Sequence, residues 1–196
     1  MIHNALAAAP GPDLARAPRR RGRTRLPFRV VNRRDRPGFL PCMQRHHLLP
    51  LQLLKANCFG PLFDEIGGER VDFDDFRLNG LLLPASDNAA VRIGLPLHRG
   101  PHRSYNQMVA ERIGQVEAGW ASLRLRAPEI AFDQALMRLG LLQRALRKRL
   151  LSPVRRLMLN RKDPLGSGFD FSELDAMADS LWGATQEADI PVTDAS

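Results

Sequence analysis

Cysteine, aromatic residues and long apolar runs are all scarce in this 196-residue chain, and each scarcity removes a class of protein. Two cysteines, Cys42 and Cys58, with no CxxC spacing, exclude a disulfide scaffold and a four-cysteine zinc site. No run nears the roughly 18 to 20 apolar residues that cross a bilayer, which excludes a membrane-spanning helix and argues against a membrane partner. The first ten residues have no basic stretch ahead of their short apolar part, so a secretory signal peptide is not expected. A reducing, cytoplasmic setting is the default. What remains, at 44% hydrophobic, is enough for one core with appendages.

Acidic residues are nearly missing from the N-terminal part. Residues 1–45 hold eleven arginines against Asp13 and Asp35, whereas residues 46–126 balance nine basic against nine acidic side chains. Residues 127–196 carry nine basic and ten acidic, so the whole excess of +8 lies in the N-terminal arm. Arg16, Arg19, Arg20, Arg21, Arg23 and Arg25 are interleaved with Pro and Gly and follow no helical or strand period. The arm, 1–36, therefore reads as disordered, either a solvated tail or a sequence-independent contact for a polyanion. The spacing of Phe132, Leu136, Leu139, Leu142, Leu146 and Leu150 predicts an amphipathic helix over 130–151, stopped at Pro153. A further helix is expected over 171–182, after a Gly166-Ser167-Gly168 linker. From Asp163 onward every charge is acidic.

Four of the five histidines fall in two pairs, His46-His47 and His98-x-x-x-His102, within the neutral middle segment. His98 and His102 share a face if one helix carries both; if a helix starts near Gly100 or Pro101, His98 stands on the entering loop instead. Tyr105, Met108, Val109, Ile113, Val116 and Trp120 continue that helix to about Leu123. In an extended strand, His46 and His47 point to opposite faces, which frees one for metal and the other for general-base work near its ordinary pKa of ~6.5. Between the pairs, Asn79-Gly80 followed by Leu81-Leu82-Leu83-Pro84 reads as turn, strand, stop, with Asn79 on a hairpin tying its loop to neighbouring backbone. Asp64, Glu65, Asp72, Asp74 and Asp75 read as a solvated acidic loop, and Cys42 and Cys58 as small buried hydrophobes.

The order His46-His47-Leu48-Leu49-Pro50, Asn79-Gly80-Leu81-Leu82-Leu83-Pro84, His98-Arg99-Gly100-Pro101-His102-Arg103-Ser104-Tyr105 resembles the AHH family of the HNH/endonuclease VII-like superfamily, often bacterial toxin nucleases. The resemblance covers about 46–117 and departs at Arg45, which stands where the family has alanine. It implies a ββα-metal nuclease core over 37–126; together with the disordered basic arm that composition gives over 1–36 and the helical extension with an acidic tail over 127–196, the expected fold is an α+β chain, mainly helical. It further implies that His46, His98 and His102 hold one divalent ion, of which Zn, Mg, Mn and Ni are candidates. His47 would activate water, Asn79 would orient the base or its loop, and Tyr105 would contact phosphate or pack beneath the site. Arg19, Arg20, Arg21, Arg99 and Arg103 are the candidate nucleic-acid contacts, with DNA the favoured substrate.

The expected function is thus a metal-dependent endonuclease, acting in the cytoplasm or delivered into a target cell, and with a cognate immunity protein if it is a toxin. The competing reading is a non-catalytic nucleic-acid-binding module whose histidines hold structural zinc, a closed site rather than an open one. No helix with placed Arg, Asn or Gln marks base-specific readout.

Overall fold

A computed structural model describes residues 24–55, 59–154, 156–160, 162–166 and residues 176, 177 and 180. The arginines Arg19, Arg20 and Arg21, Cys58, and the helix expected over 171–182 apart from those three positions lie outside the described residues.

Among the described residues, two strands and five α-helices make a mixed α+β fold, consistent with the expected nuclease core. Strand β1 (Met43–His47) pairs antiparallel with β2 (Gly80–Pro84), His46 opposite Leu81 and His47 opposite Gly80. The ladder runs one residue further, from the Leu48 N–H to the Asn79 carbonyl at 2.8 Å. Helices α1 (Gly60–Ile66) and α2 (Phe76–Asn79) fill the connection between the strands, and α3 (Asp87–Ile93) follows β2. The hairpin expected at Asn79-Gly80 is therefore not formed. Asp75 caps a single helical turn by accepting from the Arg77 N–H at 3.0 Å, so Asn79 ends a helix and Gly80 starts a strand whose partner lies more than thirty residues back. Tertiary pairing overrides the local turn preference of Asn-Gly.

Helix α4 (Arg103–Leu123) begins one residue after His102, with Pro101 just before it where a missing N–H costs nothing. Helix α5 (Pro128–Leu151) opens with proline in its first turn, two residues earlier than its apolar spacing suggests, and stops ahead of Pro153. The two pack on each other and share one core with the sheet. Tyr105, Met108, Val109, Ile113, Val116 and Trp120 of α4 meet Ala131, Ala135, Leu139, Leu142, Leu146 and Leu150 of α5, together with Leu48, Leu49, Leu62, Ile66 and Leu83. Residues 128–151 are thus structural partners of the nuclease-like segment rather than an appendage to it.

The arm also ends earlier than its composition implies, since residues 24–36 are folded onto the body. Asp74 Oδ1 accepts from the Phe28 N–H at 3.3 Å, Asp75 Oδ1 from the Leu26 N–H at 3.2 Å, and Pro27 bridges to Asp75. Arg25 pairs with Asp72 at 2.7 Å. The acidic stretch read as a solvated loop is what holds this segment down; the physical reason is that Phe28, 6% exposed, buries a ring that the arginine-rich residues before it lack. No helix among the described residues is long and apolar enough to cross a membrane.

Candidate metal centre

Alternation along β1 sends His46 inward and His47 to the opposite face. His46 is 4% exposed, and its ring lies 5.0 Å from that of His98 and 5.7 Å from that of His102, centroid to centroid. His98 and His102 are 4.5 Å apart. His98 stands on the loop entering α4 and His102 is its N-cap residue, so no single helix carries both; the loop arrangement is the one realised. One nitrogen from each of the three lies within 4.8 Å of the others, and this is the one such cluster among the described residues. Cys42 and the acidic residues 64–75 do not join it.

Hydrogen bonds fix which nitrogens face the cluster. The Leu159 carbonyl can only accept, so at 3.4 Å it requires the proton of His102 on Nδ1 and leaves Nε2 with a free lone pair. His98 Nδ1 meets Gln44 Oε1 at 3.0 Å, with the same result. Nε2 of His46 is buried and has no hydrogen-bond partner. A buried nitrogen without a partner costs free energy, and a cation shared with two neighbouring lone pairs would recover it. The donor set, three imidazoles with outer hydrogen bonds, suits a first-row divalent ion with at least one open coordination position.

Electrostatics keep these rings neutral and thus able to ligate. Burial pushes His46 well below its usual pKa, with proximity to His98, His102 and His47 adding to it. Burial, then His102 and His47, lowers His98 to about 4. His102 is lowered by burial against the opposing pull of the Leu159 carbonyl.

On the other face, the His47 ring stacks on Phe28 with centroids 3.6 Å apart and planes 4° from parallel. Burial lowers its pKa, Asp74 opposes the shift and Arg45 adds to it, so the imidazole is an unprotonated base at neutral pH. Arg45, the departure from the family pattern, donates to the Phe28 carbonyl at 2.6 Å and so ties down the segment beneath His47. Gly80 belongs to the same stack. A Cβ there would lie 2.2 Å from the Phe76 ring, which in turn packs edge-on at 5.0 Å against Phe28.

Asn79 is fully buried. Its Oδ1 accepts from the Leu49 N–H at 2.7 Å, and its Nδ2 donates to the carbonyls of Leu49 and Phe73, each at 3.1 Å. It therefore locks the backbone that leaves β1 and cannot touch a substrate. For Tyr105 the geometry separates phosphate contact from packing beneath the site. Its side chain has no exposure and its hydroxyl donates to the Leu48 carbonyl at 2.7 Å, so phosphate contact is closed to it; burial raises its pKa. Its ring lies 5.0 Å from that of His46, supporting the inward-facing imidazole from below. Arg99 and Arg103 are both exposed beside the cluster, Arg99 with Asp87 at 3.8 Å, an open pair worth little. A cavity of about 600 Å³ adjoins His102, lined by Gln52, Leu53, Gly100, Arg103, Asn106 and Gln107 among others.

Sequence reading missed the residues that act at one remove. Gln44 could have been found, because it lies two positions before His46 on the same strand face. Phe28, Gln143, which donates to the Val71 carbonyl at 3.2 Å, and Leu159 carry no local signal, since their contacts are long-range.

A family model described as AHH, a nuclease family of the HNH/ENDO VII superfamily with conserved AHH, matches residues 29–140. No curated protein and no solved structure matches the chain.

Proposed function

The chain belongs to the AHH nuclease family, and from that premise we propose that it is a metal-dependent endonuclease with a ββα-metal core, hydrolysing phosphodiester bonds, of DNA in the first instance. Membership makes nucleic acid the substrate. The observation that carries the metal-dependent reading is the convergence of His46, His98 and His102, with the buried Nε2 of His46 unpartnered.

In this reading β1 divides the labour. His46, with His98 and His102, would hold the cation, which when bound supplies Lewis-acid stabilisation of charge on the phosphate and the departing 3′ oxygen. His47 takes a proton from a water molecule as that water's oxygen bonds to phosphorus and the bond to the 3′ oxygen breaks. Phe28 fixes the plane of the His47 ring, and Asn79 fixes the backbone that follows it. Arg99 and Arg103 are available to flanking phosphates, and the basic segment before residue 46 adds sequence-independent attraction. A closed structural zinc site is the poorer reading, because His98 and His102 are only partly buried and leave room for a water or phosphate oxygen.

The test is nicking of supercoiled plasmid in Mg²⁺, Mn²⁺, Ni²⁺ and Zn²⁺, with chelator and His47→Ala as controls and an RNA substrate alongside. Expected is nicking that chelator and His47→Ala both abolish while the variant still binds metal. Plasmid that is shifted on a gel but cut in no metal would overturn the reading in favour of a binding module.

A further inference from the structure

The family match ends at residue 140, yet the chain beyond α5 returns to the histidine cluster. Residues 156–160 and 162–166 run along the loop that carries His98 and His102. Leu157, Met158 and Leu159 are buried and anchor this strap in the core. From it, three polar groups reach the loop. Asp163, 6% exposed, accepts from the Leu97 N–H through Oδ2 at 2.5 Å and from the Leu165 N–H through Oδ1 at 2.9 Å. Asn160 donates its Nδ2 to the Arg99 carbonyl. The Leu159 carbonyl accepts from His102 Nδ1. His98 is thus held on both sides, at 97 and 99, and His102 directly.

We propose that this strap, through Asp163, Asn160 and the Leu159 carbonyl, is the outer positioning shell of the metal centre, so that the centre's cation affinity depends on residues outside the family-matching segment. A carboxylate is buried at high cost unless its lone pairs are used, and here both oxygens are spent on main-chain N–H groups, one of them next to His98. That makes Asp163 a clamp on the loop rather than a ligand, and it stands outside the three-histidine cluster. The Leu159 carbonyl sets the tautomer of His102. The inference rests on the cluster being a metal centre.

The experiment titrates Co²⁺ into the metal-free full-length protein, reading the visible absorption of the bound ion and its competition with a chelator. Asp163→Ala should weaken Co²⁺ binding about tenfold or more, the usual cost of losing an outer partner. Asp163→Asn, which keeps one acceptor oxygen, should fall between Asp163→Ala and the wild type, and Asn160→Ala should shift in the same direction. A purely structural lesion supplies the contrast. Val116→Ala removes core volume roughly 21 Å along α4 from His102, and should lower the urea midpoint while leaving Co²⁺ affinity unchanged. Folded Asp163→Ala with affinity within about twofold of wild type overturns the proposal; if that variant does not fold, Asp163→Asn and Asn160→Ala both within about twofold do so. Co²⁺ binding that survives His46→Ala overturns the metal centre itself, a different failure.

Discussion

Asn79→Ala is the sharpest perturbation this structure offers, because the side chain is entirely enclosed and all its bonds go to main chain and one glutamine. Truncation leaves the Leu49 N–H, the Leu49 carbonyl and the Phe73 carbonyl without their partners in a buried site. Each buried orphan costs about 1–3 kcal/mol. A water entering the vacated volume would relieve part of that, so the lower end applies and the expected loss is about 3 kcal/mol. Against the roughly 5–15 kcal/mol by which domains are stable, the variant still folds but with much of its margin gone. Urea denaturation of the metal-free protein measures this directly, with the midpoint falling and the slope unchanged. Asn79→Asp should be at least as damaging, since a carboxylate oxygen would then face the Leu49 and Phe73 carbonyls. A loss below about 1 kcal/mol for Asn79→Ala would refute the claim that this residue works by locking the backbone after β1.

Tyr105→Phe should cost about 1–2 kcal/mol by stranding the Leu48 carbonyl, with Co²⁺ affinity and substrate KM unchanged; a raised KM would restore a phosphate contact that burial excludes. Phe28→Ala should lower kcat about ten- to a hundredfold by freeing the His47 ring, while metal affinity measured by titration stays at the wild-type value. The metal-free protein should lose stability as pH falls from 7 to 5, because His98 is lowered to about 4 when folded whereas the unfolded chain takes up its proton near ~6.5. The unfolded state then binds more protons, so stability falls as pH drops through ~6.5 and levels off near the folded value. For His98 this is at most about 2 kcal/mol by pH 5, less to the extent that the ring is solvated, and a His98→Gln variant should show a shallower urea-midpoint profile.

The histidine pairs were legible because strand alternation and a proline before a helix are local rules, and both act within a few residues of His46-His47 and His98–His102. Helices α4 and α5 were legible because their apolar spacing matches the faces they bury. Asn79 ends a helix instead of turning a hairpin because the turn preference of Asn-Gly is weaker than the helical turn capped by Asp75 and the pairing of Gly80 with His47. The arm ends short of residue 36 because its arginines are followed by one aromatic anchor, Phe28, whose burial depends on Phe76 and His47 far along the chain. Gln143 and Asp163 carry no signal in their own neighbourhoods; their importance exists only once the chain has folded back on itself.

That folding back sets an order of events during synthesis. The contacts that close the centre join Leu49 to Asn79 across 30 residues, Leu48 to Tyr105 across 57, His102 to Leu159 across 57, and Leu97 to Asp163 across 66. Pairings so distant in sequence carry a loop-closure cost before any of them is rewarded, which makes their formation slow relative to the helices. A nascent chain emerging N-terminus first presents His46 and His47 early and has His98 and His102 in hand well before Asp163 appears. It acquires the contacts that hold the last two only afterwards. Topology thereby delays completion of the centre until nearly the whole described chain has been made, and a prematurely terminated product carries its reactive side chains without the framework that would align them.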